Sequence, residues 1–378
     1  MKIALVHDWL NQMGGAEDVL LELAHLYPES PIYTSIFAPD QLPEAFSTLD
    51  ITTLWIDRLP GIHQKHQRYL PFYPLAWGSF RVPETDVVLT NKSGFCHGLK
   101  LPANALHICY CLAPTRYVWQ LESYISREGM GAAAAAALRP LISVLRRWDY
   151  AAAQRVHKFV AISTEIQSRI KQFYDRDSVV IYPPVDTARF AAARTDSIGE
   201  YFLVVSRLIP YKRIDLAVQA CTLLGLPLKV GGKGRDIDRL RALAGPTIEF
   251  LGYVPDEDLP GLMAGCKAFL FPGLEDFGIT PVQAQASGRP VIAFAGGGAL
   301  DTVIPGRTGE LFAEQAIESL VDVLRHFDAD KYDSDVLQSD ARQYDTSVFR
   351  HELGQFVTDS WNLHRTGTYN LPKPNHAP

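Results

Sequence analysis

The thirty residues from Phe269 to Gly298, FLFPGLEDFGITPVQAQASGRPVIAFAGGG, constrain this chain more than any other stretch. The apolar run Ala268 to Phe271 reads as a buried strand that Pro272 and Gly273 end. The chain then turns polar at Glu275 and Asp276. Thr280, Pro281 and Gln283 predict a helix start, with Thr280 as N-cap, Pro281 at the first helical position and Gln283 closing a capping box. Gly288 and Pro290 stop that helix before a second apolar strand. The free N–H groups and positive dipole end of such a helix start suit an anion such as phosphate.

The rest of the chain repeats the same unit. Strand signals lie at 2–7, 32–37, 51–56, 86–90, 106–112, 158–162 and 179–182. A second series runs through YFLVVS, PLKVGG and TIEFLG, with helical patterns between, including 216–224 and 259–264. This alternation predicts an α/β protein with parallel, helix-covered sheets and a Rossmann-like second half. A length of 378 residues suits two domains. YPPVD at 182–186 marks the crossover, giving an expected first domain at 1–184 and a second at 185–346. An amphipathic helix is expected at 347–363 and a loose tail at 366–378. AGGGALDTVIPGRTGELF reads as a glycine loop, a short helix and a turn.

Charge and composition exclude several classes. A formal charge of −6 argues against a general nucleic-acid binder. No apolar run approaches the roughly 20 residues of a membrane span, so a cytoplasmic location is expected. Five cysteines without zinc-type pairing read as reduced core thiols. Gly14 and Gly15 allow close backbone approach to a ligand, or form a plain strand-to-helix turn, and Glu17 favours the helix N-terminus. The Gly231-Gly232-Lys233-Gly234 loop is not GxGxxG, so a dinucleotide dehydrogenase is poorly supported. Asp236-Ile237-Asp238 spells a metal-binding DxD but stands where a helix begins, and no metal is assigned. The aromatic and basic segment Trp55 to Phe80 reads as a Pro-interrupted helix on its own domain or as an interfacial surface. Arg139 and Arg146 in the Ala-rich stretch 131–156 share a face that is either solvated or lipid-facing. His97 reads as a solvated loop histidine.

Glu275, separated by seven residues from Gln283 within an FGITPV and GRPVIA context, resembles the signature of family 4 retaining glycosyltransferases, which have the GT-B fold. That resemblance implies two Rossmann-like domains with a cleft between them, and a last helix that packs back on the acceptor-side first domain. It implies that Glu275 contacts hydroxyls of the donor sugar and that position 283 contacts the donor ribose. Here Gln283 stands in place of a second Glu; its amide still donates and accepts hydrogen bonds, alongside any capping role. SRLIPYK matches the family motif in which Arg207 and Lys212 hold the donor diphosphate, whose negative charge grows as the glycosidic bond breaks. The resemblance extends donor contact to Gly14, Gly15, Gly232, Val254, Phe277, Gly278, Ile279 and Thr280. YCLAPTRYVWQ at 110–120 is similar to bacterial polysaccharide mannosyltransferases of the family, with Leu112 where many have His. Arg116 there is a candidate anion contact, and His97 is the nearest alternative polar group on the acceptor side.

The expected function is transfer of a hexose, with mannose first, from a nucleoside diphosphate sugar to a glycan or lipid-linked acceptor. GDP-mannose is the first candidate donor, no cofactor or metal is expected, and peripheral contact with the inner membrane face is left open. Two alternatives stand beside this: a nucleotide-sugar-binding protein with weak or no transfer, and a GT-B epimerase or phosphorylase.

Overall fold

The structure, a computed structural model, describes residues 1–120 and 132–367, with the backbone alone for 132–137. Residue 131, the first of the Ala-rich stretch, and most of the expected tail lie outside the described residues. The chain divides into two units, Met1–Tyr182 together with the chain from Phe349 on, and Pro183–Val348.

The first unit holds seven strands: β1 (Ile3–His7), β2 (Ile32–Thr34), β3 (Ile51–Thr53), β4 (Val87–Lys92), β5 (Leu106–Cys111), β6 (Lys158–Ala161) and β7 (Ser178–Val180). They form one sheet in the order β3-β2-β1-β4-β5-β6-β7, with every pairing parallel. The second unit holds six: β8 (Phe202–Val205), β9 (Leu228–Gly231), β10 (Ile248–Gly252), β11 (Ala268–Phe271), β12 (Val291–Phe294) and β13 (Gly309–Phe312). Their order is β10-β9-β8-β11-β12-β13, again all parallel. Parallel strands are covered on both faces, which is why every residue of β1, β4, β5 and β11 is buried and most are apolar, with His7, Thr90, Asn91, Lys92 and His107 as the polar exceptions.

Both orders contain a point where the chain reverses its direction of winding, between β1 and β4 in one unit and between β8 and β11 in the other. Such points open a crevice at the carboxyl ends of the strands, where ligands of these sheets bind.

Some local expectations need correction. β2 and β3 stop short of Phe37 and Ile56, because the chain bends into a 3-10 turn at Trp55–Arg58 whose Asp57 carboxylate accepts the Phe37 N–H at 3.1 Å. The turn expected near GELF is an edge strand, β13, and helices at Ile317–His326 and Ser334–Ala341 were not singled out by the sequence. The segment after Trp55 is a series of short helices, with Pro71 inside the 3-10 helix His66–Phe72 and Tyr73 and Trp77 of the next helix buried. The final helix spans Thr346–Arg365; in the first unit its Arg350 binds Glu22 at 2.6 Å and Phe349 packs edge-on to Tyr110. All five cysteines are free and buried. No helix among the described residues is long and apolar enough to cross a membrane.

Candidate functional site

In the second unit the crevice between β8 and β11 is built from two loops. After β8 the chain runs through Ser206 and Arg207 into a 3-10 turn, Pro210–Lys212, and then the helix Ile214–Leu224. After β11 it runs through Pro272–Gly278 into the helix Ile279–Ala286. The two loops are in contact: Gly273 packs so closely on the Lys212 backbone that a Cβ there would lie 3.0 Å from the Lys212 carbonyl. The Gly298 N–H donates to the Glu275 carbonyl at 3.0 Å, so the third glycine loop fixes the carboxylate loop from the other side. As a result the Lys212 ammonium and the Glu275 carboxylate form an ion pair, with 17 % and 16 % of their side chains exposed. Ser206, Lys212, Pro272, Gly273 and Glu275 line a small hollow at this point. Arg207 is exposed beside it, its guanidinium 3.3 Å from the Tyr211 hydroxyl.

The remaining residues named from the sequence surround this pair or lie apart from it. Gly278 caps the helix with φ +92°, a left-handed conformation suited to glycine, and the Phe271 ring fills the space a Cβ would need. This corrects the capping box: the helix starts at Ile279, Thr280 and Pro281 fall inside its first turn, and Gln283 lies beyond reach of the cap. The Gln283 side chain is half-buried, and Phe277 is buried with its ring against Tyr344. Gly232 (φ +129°) follows β9, and a Cβ on it would overlap the Ser206 carbonyl oxygen. The glycine there is thus required by the protein's own β8 loop. Half-buried Val254 packs over Gly231. The DxD acid Asp236 is gripped by Arg239 through Nε and Nη2 at 2.7 and 2.8 Å, so its carboxylate is already engaged. No cluster of three or more metal-ligating side chains occurs among the described residues.

The corresponding crevice of the first unit is filled by the protein itself. The Asp8 carboxylate, just past β1, accepts the backbone N–H groups of Ser93, Gly94, Phe95 and Cys96, just past β4, at 2.5–2.8 Å. Gly14 is extended at the N-cap of the helix Gly15–Leu26, and buried Glu17 lies 3.6 Å from His7 Nε2. Lys92 is wholly buried at the end of β4 and donates to the Ala113 carbonyl and the Thr115 hydroxyl at 3.1 and 3.2 Å. Burial pulls its pKa down, but Asp149, Cys111, Cys109 and Asp8 outweigh it and hold the ammonium charged. Asp149 in turn accepts from the Thr115 hydroxyl, the Trp119 indole and the Tyr174 hydroxyl, each at 2.7 Å. These bonds pin both ends of the short helix Arg116–Trp119, which carries Arg116 at its first residue.

The sequence reading missed Asp8, Lys92 and Asp149. For Asp8 the available signal was an acid set directly against the strand run IALVH. His97 is not a solvated loop histidine. It is buried, its Nε2 is 3.3 Å from the Asp149 carbonyl, and burial, then Lys92, hold its pKa well below the usual value, so it is neutral. Half-buried Arg146 is not a free member of a basic face either: it donates to the Val118 carbonyl at 2.9 Å and stacks over Trp119.

The family model described as Glycosyltransferase Family 4 matches residues 13–189, and the one described as Glycosyl transferases group 1 matches residues 187–344. A GDP-mannose-dependent alpha-(1-6)-phosphatidylinositol monomannoside mannosyltransferase of Mycobacterium tuberculosis is 29 % identical over 219 residues, covering 50 % of this chain and 57 % of that protein. The chain thus spans little more than half the length of this curated relative. The solved structure of sucrose-phosphate synthase from Thermosynechococcus elongatus aligns over 96 % of this chain and 100 % of its own, with a TM-score of 0.70 and 17 % identity. Anabaena HepE in complex with UDP aligns over 95 % and 100 %, with a TM-score of 0.65 and 18 % identity.

Proposed function

The chain belongs to family 4 of the glycosyltransferases and has their GT-B fold, and from that premise we propose that it moves a hexose, mannose first, from a nucleoside diphosphate sugar to an acceptor hydroxyl with retention and without a metal. The observation that carries this reading is the meeting of Lys212 and Glu275 at the β8–β11 crevice, with Arg207 beside them. Lys212 and Arg207 supply fixed positive charge for the leaving diphosphate, the task a metal ion performs elsewhere. Glu275 accepts hydrogen bonds from hexose hydroxyls and orients the anomeric carbon. With the leaving diphosphate guiding the incoming hydroxyl to the face it vacates, positioning carries much of the acceleration. Gln283 takes the ribose, and Gly232, Val254, Phe277, Gly278, Ile279 and Thr280 shape the donor pocket. In the first unit, Arg116 contacts an anionic part of the acceptor.

GDP-mannose is the first donor to test, because the mycobacterial relative bears that dependence in its name. That relative's name also gives a phosphatidylinositol acceptor, and a lipid-linked acceptor here fits the exposed Trp55, Phe72 and Leu75 beside exposed Lys65 and Arg68. The test is incubation with a panel of nucleotide sugars, following nucleoside diphosphate release and product anomer. One donor should be consumed with retention, and Arg207→Ala or Lys212→Ala should slow it by orders of magnitude. Binding without consumption would favour a nucleotide-sugar-binding protein, and phosphorolysis or donor epimerisation the other alternative.

A further inference from the structure

The Lys212–Glu275 pair has a cost that depends on what enters the site. A diphosphate needs the Lys212 ammonium, yet Glu275 already holds it, and both side chains are largely withdrawn from water. Building on the donor reading above, we infer that this pair makes the site discriminate the intact nucleotide sugar from the spent nucleoside diphosphate. When a whole donor enters, Lys212 turns to the diphosphate and the hexose hydroxyls take its place on Glu275. The carboxylate exchanges one partner for another. When a nucleoside diphosphate enters alone, Lys212 turns to it in the same way, but nothing replaces it on Glu275. A largely buried carboxylate then loses its counter-charge beside a second anion, which is unfavourable.

The pair therefore penalises the product and not the substrate, and speeds release of the diphosphate after transfer. The backbone supports such an exchange: Gly273 lies on Lys212 and the Gly298 N–H holds the Glu275 carbonyl, so both loops stay in place while only the ammonium moves.

The test is a double-substitution cycle read by calorimetric titration of GDP and UDP, with GDP-mannose and UDP-glucose alongside. Glu275→Gln keeps the side-chain shape and removes the charge, and Glu275→Ala serves as a second variant. Either should tighten nucleoside diphosphate binding about tenfold and narrow the gap between sugar donor and bare nucleotide. In a Lys212→Ala background, where no pair exists to break, the same Glu275 substitution should change diphosphate affinity less than about twofold. Unchanged affinity in Glu275→Gln would overturn the inference. Equal tightening with and without Lys212 would overturn it as well, since plain repulsion between carboxylate and phosphate would then be the cause. If wild type binds neither nucleotides nor their sugars, the donor reading itself fails, a result separate from both.

Discussion

Asp8→Asn tests whether the first unit's crevice is closed from within. The carboxylate accepts four backbone N–H groups, two on each oxygen, and it is fully buried. An amide keeps one accepting oxygen, so whichever way it turns, two N–H groups lose their acceptor and face an NH₂ donor. Hydrogen bonds to a charged acceptor are worth roughly 1.5–3 kcal/mol each, so the loss is about 3–6 kcal/mol. Against a domain stability of roughly 5–15 kcal/mol this is large. With a urea slope near 2 kcal/mol per molar, the midpoint should fall by roughly 1.5–3 M. The assay is specific to this unit, because all six tryptophans, Trp9, Trp55, Trp77, Trp119, Trp148 and Trp361, belong to it, and fluorescence is blind to the other. An unchanged tryptophan midpoint would refute the assignment of the four N–H groups to Asp8.

Three further outcomes are expected. Gly232→Ala should weaken nucleotide binding and destabilise the second unit by at least about 1–3 kcal/mol, since its φ of +129° and the Ser206 carbonyl both oppose a Cβ; circular dichroism melting and titration with GDP check it, and wild-type values for both would contradict it. Gln283→Ala should reduce donor affinity by about 0.5–1.5 kcal/mol for each hydrogen bond lost, whereas Gln283→Glu should keep or improve it; equal affinities in all three forms would remove the ribose role. The first unit should be less stable in acid: burial, then His364 and Arg176, hold the His157 pKa at about 4, and burial holds His97 and His107 well below their usual value. The unfolded chain, with histidines near 6.5, binds more protons in this window, so stability is fully present above about pH 6.5 and is lost toward pH 4. The tryptophan melting temperature should therefore drop between pH 7.5 and pH 5, and a flat or rising profile would contradict this.

The sheets and the placing of Arg207 and Glu275 in loops after strands were legible for related reasons. A buried parallel strand reads as a mainly apolar run, and a charged residue in the loop that follows one, as at Arg207 after β8 or Glu275 after β11, stands at the carboxyl edge of the sheet, where ligands of such sheets bind. What stayed hidden depended on distant partners. Asp8 meets its four N–H groups 85–88 residues away, and Asp149 reaches Thr115 across 34 residues, spacings that no local pattern records. The helix start at 279 misled because Thr280, Pro281 and Gln283 satisfy a capping pattern locally, while Gly278, set against the Phe271 ring, ends the loop first. β13 is a four-residue edge strand that opens on a glycine, too short to show an apolar period.

The most direct measurement is a crystal structure of the protein with an intact nucleotide sugar, GDP-mannose first. The diphosphate should lie within hydrogen-bond distance of Arg207 and Lys212, with the Lys212 ammonium drawn off Glu275 and the Glu275 carboxylate bonded to hexose hydroxyls. A donor bound away from the β8–β11 crevice, or one bound there with Lys212 still on Glu275 and the carboxylate turned from the sugar, would contradict it.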